Sequence, residues 1–374
     1  LGAFLSGGID SSIVTALMQS QSIKPIKTFT IGFNENDLSE AQFSKKIANH
    51  LGTEHTELYI SPKQAMEVIP KLPYIYDEPF SDSSQIPTIL VSQIAKKHVK
   101  VVLSGDGGDE LFCGYNRYIL SKKFSNLFTL MPLPFRKIIS SSLKLISPLN
   151  WNKISKFLPS AYQHSEFGNK IYKGANALEA KTVYELYNIL CSSWQNPNSI
   201  VKNSQEPLTF LSKSKSQLGE LNNQQIMMAL DYLTYLPNDI LVKVDRASMA
   251  SSLETRVPLL DHKLIEYAWQ IPQSLKLRNG SGKWILKKIL NKYVPNKLTE
   301  RPKMGFGIPI ESWLRGPLKD WAEDLLDEKR LQEEGYFNSK LIREKWTEHL
   351  GGKKNWHNQL WDILMFQAWK EKNN

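Results

Sequence analysis

The segment that decides the fold runs from Leu1 to Ser12, LGAFLSGGIDSS. Its first five residues are a short apolar run of the kind a buried strand needs. Ser6-Gly7-Gly8 ends the run, and Ser11 to Gln19 then reads as helical. Strand, glycines and helix N-terminus in that order make a ready anion site. Glycine lets the backbone approach a ligand closely, and the free N–H groups and the positive end of the helix dipole point at it. Ser6, Ser11 and Ser12 add hydroxyl donors. Asp10 would repel a bare anion, but it fits if it holds Mg2+, which takes carboxylate and phosphate oxygens together. No lysine follows the glycines, so this is not the GxxxxGK(S/T) phosphate loop. The bland alternative is an Asp-Ser helix cap after a glycine turn.

Outward from this segment, strand and helix patterns alternate. Lys27 to Phe33 (KTFTIGF) is rich in β-branched and aromatic residues, Ala41 to Leu51 has helical periodicity and stops at Gly52, and Thr53 to Ile60 is a further strand candidate. A helix is expected from Pro62 and another over Pro87 to His98, followed by a buried strand, Val99 to Leu103. Alternation of this kind predicts an α/β fold, a parallel sheet flanked by helices with right-handed crossovers. Such sheets bind ligands beyond the C-terminal ends of their strands, and both glycine-rich segments, residues 6–8 and 104–108, fall there. From about Tyr118 the character changes. Residues 119–230 have helical apolar spacing and few strand signals, 225–270 read as helical again, and 312–372 read as amphipathic helices carrying several tryptophans. The tryptophans are expected to pack helices rather than to stack on a nucleotide.

The second glycine-rich segment, Ser104-Gly105-Asp106-Gly107-Gly108-Asp109-Glu110, places acids in a turn at a strand end, where they can reach a metal or an activated substrate. Alone it is weak, because Gly-Asp clusters are also common tight turns. Its position after a second parallel strand raises its weight.

The first loop resembles the SGGxDSS pyrophosphate loop (PP-loop) of the N-type ATP pyrophosphatases. Four longer segments are similar, in order, to the asparagine synthetase (glutamine-hydrolysing) family: DEPFSDSSQIPT at 77–88, SGDGGDELFCGYNRY at 104–118, YLPNDILVKVDRASMASSLETRVPLLDH at 235–262 and RPKMGFGIPIESWLRGPL at 301–318. The resemblance implies a C-terminal synthetase domain without its N-terminal glutaminase domain, which would lie upstream in a longer parent chain. It implies a PP-loop α/β core over residues 1–118 and a large, mainly helical extension over 119–374, of which 235–318 contribute site motifs. It implies the cofactors ATP and Mg2+. Ser6, Gly7, Gly8, Asp10, Ser11 and Ser12 would bind pyrophosphate, and Phe4, Ile31, Ser104 and Gly105 would contact ATP. Asp10 and Asp109 would hold metal. Asp106 and Lys303 would be catalytic, with Asp106 standing where many members carry Glu. Asp245, Arg246, Glu254 and Arg256 are either a substrate network or a structural one.

The implied reaction is aspartate, ATP and ammonia to asparagine, AMP and pyrophosphate through a β-aspartyl-adenylate. The alternative is a related amidotransferase acting on a sugar-acid or peptide carboxylate. A tRNA-modifying PP-loop enzyme ranks last.

Composition bounds the rest. The 374 residues are 41% hydrophobic and 22% charged, ordinary for a globular protein. No apolar run reaches the length of a membrane span, and no membrane partner is expected. The net charge of +10 is spread along the chain rather than packed into an arm, so no nucleic-acid partner is expected either. Cys113 and Cys191 are the only cysteines, which excludes a disulfide framework and a multi-cysteine zinc site and suits the cytoplasm. No HExxH pattern supports metalloprotease chemistry. The chain opens directly into a motif with no initiator Met, as if cut from something longer. A homodimer is compatible with all of this.

Overall fold

A computed structural model describes residues 1–33, 40–159, 167–207, 209, 218–299 and 308–373. The chain divides into two compact units. One comprises 1–115, 228–308 and 372–374, and the other 116–227 and 309–371.

The first unit is built on a parallel sheet of five strands in the order β3-β2-β1-β4-β5. These are β1 (Gly2–Phe4), β2 (Lys27–Phe33), β3 (Glu54–Ile60), β4 (Val101–Leu103) and β5 (Glu254–Arg256). The strands expected over 27–33, 53–60 and 99–103 are present, so the α/β reading holds. The chain lays down β1, β2 and β3 toward one edge, then returns to place β4 on the other side of β1. The switch point therefore lies between β1 and β4, and that is where parallel sheets of this kind open a ligand crevice. Ala3 pairs with Leu103, so residues 5–8 and 104–108 leave the sheet side by side.

Helix α1 (Ile9–Ser20) carries the first loop into the core. Its Ile13, Val14 and Ala16 are buried with Leu5, Leu111 and Phe112. Helix α2 (Glu40–Leu51) adds Ile47 and Ala48 to the same cluster. The helix Trp284–Leu290 also packs on α1, which brings the residue before it, Lys283, to the loops.

One expectation needs refining. The 225–270 segment contains β5, which extends the sheet beyond β4 through the register Val101↔Glu254 to Leu103↔Arg256. Three residues with a single β-branched side chain, Thr255, give no period to read, and the strand exists because the β4 edge offers it hydrogen-bond partners. The same segment also holds a ten-residue helix, Asp231–Ile240, that runs through Pro237 with i→i+5 bonding and hands over to the helix Leu241–Met249. Proline has no N–H to give to a tighter ladder, so a wide turn is the expected accommodation.

The second unit is helical. In it Trp313, Trp346 and Trp361 are almost fully buried. Among the described residues no helix is long and apolar enough to cross a membrane.

Candidate active site

The two glycine-rich loops form one site. Gly7 takes a positive φ of 74°, which turns the chain from β1 toward α1. Within the loop, the Ser6 N–H donates to Ser11 Oγ at 3.2 Å, the two hydroxyls lie 3.0 Å apart, and the Gly8 N–H donates to Ser6 Oγ at 3.3 Å. Ser11 closes the turn by donating to the Gly8 carbonyl at 3.3 Å. No side chain caps α1, which leaves its first N–H groups for a ligand. Ser12 is fully buried below the loop, whereas Ser6 is partly exposed.

Gly105 closes the second loop onto the first. A Cβ there would sit 2.6 Å from the Ser11 nitrogen and 2.7 Å from the Asp10 carbonyl carbon, both backbone atoms. Only glycine allows the loops this close. Ile31 is buried in β2, and Phe4, at the end of β1, is partly buried.

The electrostatic centre is a lysine that sequence reasoning did not single out. Lys283 Nζ bonds to Asp10 Oδ2 and lies 2.7 Å from Asp109 Oδ1. All three side chains are largely buried, with 9%, 15% and 19% of their surface exposed. Burial disfavours the Lys283 cation, but the two carboxylates outweigh it and raise its pKa above the usual lysine range. The backbone holds Lys283 in place. It takes a φ of 55°, its N–H donates to the Phe112 carbonyl at 2.9 Å, and it starts the helix Trp284–Leu290. A left-handed φ is uncommon for a residue with a Cβ, and here it turns the chain directly into the helix. The sequence signal was present in Gly280-Ser281-Gly282-Lys283, a glycine turn and a lysine before a helix.

Asp106 accepts a hydrogen bond from Ser104 Oγ. Burial raises its pKa, although Ser104, Lys243 and Lys283 oppose the shift. The adjacent Glu110 is buried and accepts from Tyr115 Oη at 2.7 Å, and burial pushes its carboxyl up to about 7.

A second charged group in the same unit involves Asp82, Asp239 and Lys243. Lys243 Nζ lies 2.7 Å from Asp82 Oδ2, and Asp82 Oδ1 also accepts from the Ser84 N–H and hydroxyl at 2.9 and 2.8 Å. Burial works against the Asp82 carboxylate, yet Lys243 and Ser84 hold it below the usual range. Burial, then the charge of Asp82, push Asp239 up to about 7 while Asp82 is held low, so a proton taken up by the pair goes to Asp239 first. Asp239 and Lys243 lie four residues apart where the wide-turned helix meets the next one.

The four residues Asp245, Arg246, Glu254 and Arg256 do not form one network. Arg246 pairs with Asp77, Glu254 pairs with Arg256 along β5, and Asp245 is exposed. Lys303 lies outside the described residues.

The donor set fits Mg2+. Two carboxylates already converge on one cation, and magnesium is characteristically held by one or two carboxylates with substrate phosphates completing its shell. Among the described residues no group of three or more His, Cys, Asp or Glu forms an all-protein cage.

Comparison with known proteins identifies the family. The family model described as asparagine synthase matches residues 1–371. The chain is similar to asparagine synthetase (glutamine-hydrolyzing) 1 of Bacillus subtilis, with 32% identity over all of this chain and 56% of the relative. It is similar to a putative asparagine synthetase of Mycobacterium bovis, with 31% identity over 99% of this chain and 54% of the relative. A putative asparagine synthetase of Methanocaldococcus jannaschii is 34% identical over 67% of this chain and 45% of its own length. The chain spans about half the length of the curated relatives it matches. A parallel sheet with two acidic glycine loops at its switch point, joined by a match that runs nearly end to end, places the chain in the asparagine synthase family.

Proposed function

We propose that this chain carries the ATP-dependent half of amide synthesis, in which aspartate, ATP and ammonia give asparagine, AMP and pyrophosphate. The observation that supports it most is the convergence of Asp10 and Asp109 on Lys283 at the switch point between β1 and β4.

In this reading the β-carboxylate of aspartate attacks the α-phosphorus of ATP. The bond between the α-phosphorus and the bridging oxygen breaks, and pyrophosphate leaves. Ammonia then attacks the acyl carbon, the C–O bond to AMP breaks, and the nitrogen sheds a proton. The Ser6–Ser11 loop and the uncapped end of α1 would hold the pyrophosphate. Lys283 would follow the negative charge that gathers on it. Mg2+ on Asp10 and Asp109 would neutralise phosphate charge in the ground state and on the leaving group. Asp106 would face the acyl-phosphate centre. By resemblance alone, Lys303 would stabilise the α-phosphate.

The test is ATP–pyrophosphate exchange with a panel of carboxylates, followed by amide formation with ammonia. Exchange that depends on aspartate supports the reading. Exchange that depends only on a sugar acid or a peptide would keep the adenylating site and change the acceptor. No exchange with any carboxylate would overturn the reading.

A further inference from the structure

The helical unit carries a surface that the adenylating chemistry does not use. From Leu111 to Ser165 the sequence has eight Lys and Arg and no Asp or Glu. Although the positive charge is not gathered into an arm, most of the chain's net +10 is matched by this one stretch.

Within it, the helices Leu133–Lys144 and Pro148–Ser155 both pack on the helix Phe167–Leu178. The first is anchored by its inward side. Arg136 is buried and donates to the carbonyls of Met131, Leu178 and Ala180, and Ser140, one turn on, is buried with it. At 100° per residue, Ile138 falls opposite these two and Phe135 beside it. The outward side of a soluble helix should be polar, yet Phe135 and Ile138 are 61% and 62% exposed. Leu145 and Phe157, which follow each helix, are 86% and 91% exposed. Lys137, Lys153 and Lys156 are exposed in the same segment.

Large apolar side chains held in water mark an interaction surface. The lysines select the partner, because the acid that lies against these helices, Glu179, is already paired with Lys144 at 2.6 Å. A second copy of this chain would set like charge against like. A nucleic acid would be met by stacked aromatics, but half of these residues are aliphatic and have no ring to stack on a base. An anionic bilayer satisfies both properties, since its boundary region takes up Phe, Leu and Ile while its phosphates attract lysine.

We infer that residues 133–157 form a peripheral docking face for an anionic lipid bilayer, with Phe135, Ile138, Leu145 and Phe157 entering the headgroup–acyl boundary and the lysines meeting headgroup phosphates. This is attachment to a surface and not a span, and it does not depend on the synthetase reading.

The test is co-flotation of the 374-residue chain with vesicles of phosphatidylcholine and with vesicles of phosphatidylcholine mixed with phosphatidylglycerol. Binding is expected to the mixed vesicles, and it should fall steeply as salt is raised. The triple variant Lys137→Glu, Lys153→Glu, Lys156→Glu should weaken it about a hundredfold. Phe135→Ser, Ile138→Ser, Phe157→Ser should weaken it about tenfold or more. All six positions are exposed, so folding should survive, and circular dichroism checks it. Should a variant misfold, the salt titration of the unaltered chain decides the question. No binding to anionic vesicles at low salt would overturn the proposal, and so would binding that ignores both salt and every variant. A dimer in sedimentation that the serine variant dissolves, without vesicle binding, would assign the face to a second copy instead.

Discussion

Lys283 Nζ lies 2.7 Å from Asp109 Oδ1 while also bonding to Asp10, so one ammonium is shared by the acids of two different loops and leaves the trio with an excess of negative charge. The arrangement gives both acids a counter-ion before any substrate arrives, and it has a measurable consequence. Removing one partner of a buried ion pair costs roughly 3–5 kcal/mol, because the remaining charge stays buried without compensation. Lys283→Met should therefore lower the melting temperature in a chelating buffer. Mg2+ can replace the ammonium as a counter-charge between the carboxylates, so the gap to the unaltered protein should narrow when magnesium is added. Melting curves with EDTA and with MgCl2 check this, and an equal gap in both buffers would remove the idea that Asp10 and Asp109 share a metal.

The carboxylates themselves should matter for turnover more than for folding. Asp10→Asn and Asp109→Asn each leave Lys283 one carboxylate and relieve the site of one charge. Stability should change little, while pyrophosphate release should fall by about a hundredfold or more, the scale of losing an electrostatic stabiliser. Near-normal turnover in either folded variant would exclude the proposed metal role.

Gly105 offers a test of the loop contact. An added methyl would meet the Ser11 nitrogen and the Asp10 carbonyl carbon at 2.6 and 2.7 Å, and backbone cannot move aside as a flexible side chain can. Gly105→Ala should cost about 1–3 kcal/mol, as overpacking does. It should also impair ATP–pyrophosphate exchange beyond that loss, because it pushes α1 away from the second loop. Gly174 is the control. Nothing lies within 4 Å of a Cβ there, and it sits inside the helix Phe167–Leu178, so Gly174→Ala should stabilise by up to about 1 kcal/mol. Chemical denaturation of both variants decides the matter.

How much of this was legible in the sequence depends on the range of the interaction that creates each feature. The loop at residues 6–12 and the loop at 104–109 are local, and residue types alone identified them and placed them at strand ends. Their adjacency required the strand order, which followed from the α/β pattern only as far as the rule that ligands gather beyond strand ends. Lys283 is 273 residues from Asp10, and no periodicity connects them. Asp82 and Lys243 are likewise 161 residues apart and become a pair only when the helix after Pro237 packs in the same unit as the 77–88 segment. Conversely, the family motif at 235–262 groups Asp245, Arg246, Glu254 and Arg256 as one network. The fold divides them, sending Arg246 to Asp77 and Glu254 to Arg256.

An aspartate titrates near 3.9 in the unfolded chain, whereas burial and the charge of Asp82 push Asp239 up to about 7 in the folded one. A raised acid pKa means that the folded state binds the proton more tightly than the unfolded state does. The stability this supplies is complete below about pH 4, and it is lost progressively as pH rises through about 7. Above that, the native protein must hold a second carboxylate beside Asp82 with only Lys243 to share. Asp239→Asn keeps a neutral side chain that can still donate to Asp82, and it does so at every pH. The variant should therefore gain on the unaltered chain as pH rises, and its melting temperature relative to that chain should be several degrees higher near pH 8 than near pH 5. Lys243→Met should reverse the sign, since it strips the cation from both acids and leaves Asp82 without its buried partner. A variant–wild-type difference for Asp239→Asn that stays flat between pH 5 and 8 would show that Asp239 is ionised throughout. The proton would then have to lie elsewhere in the group.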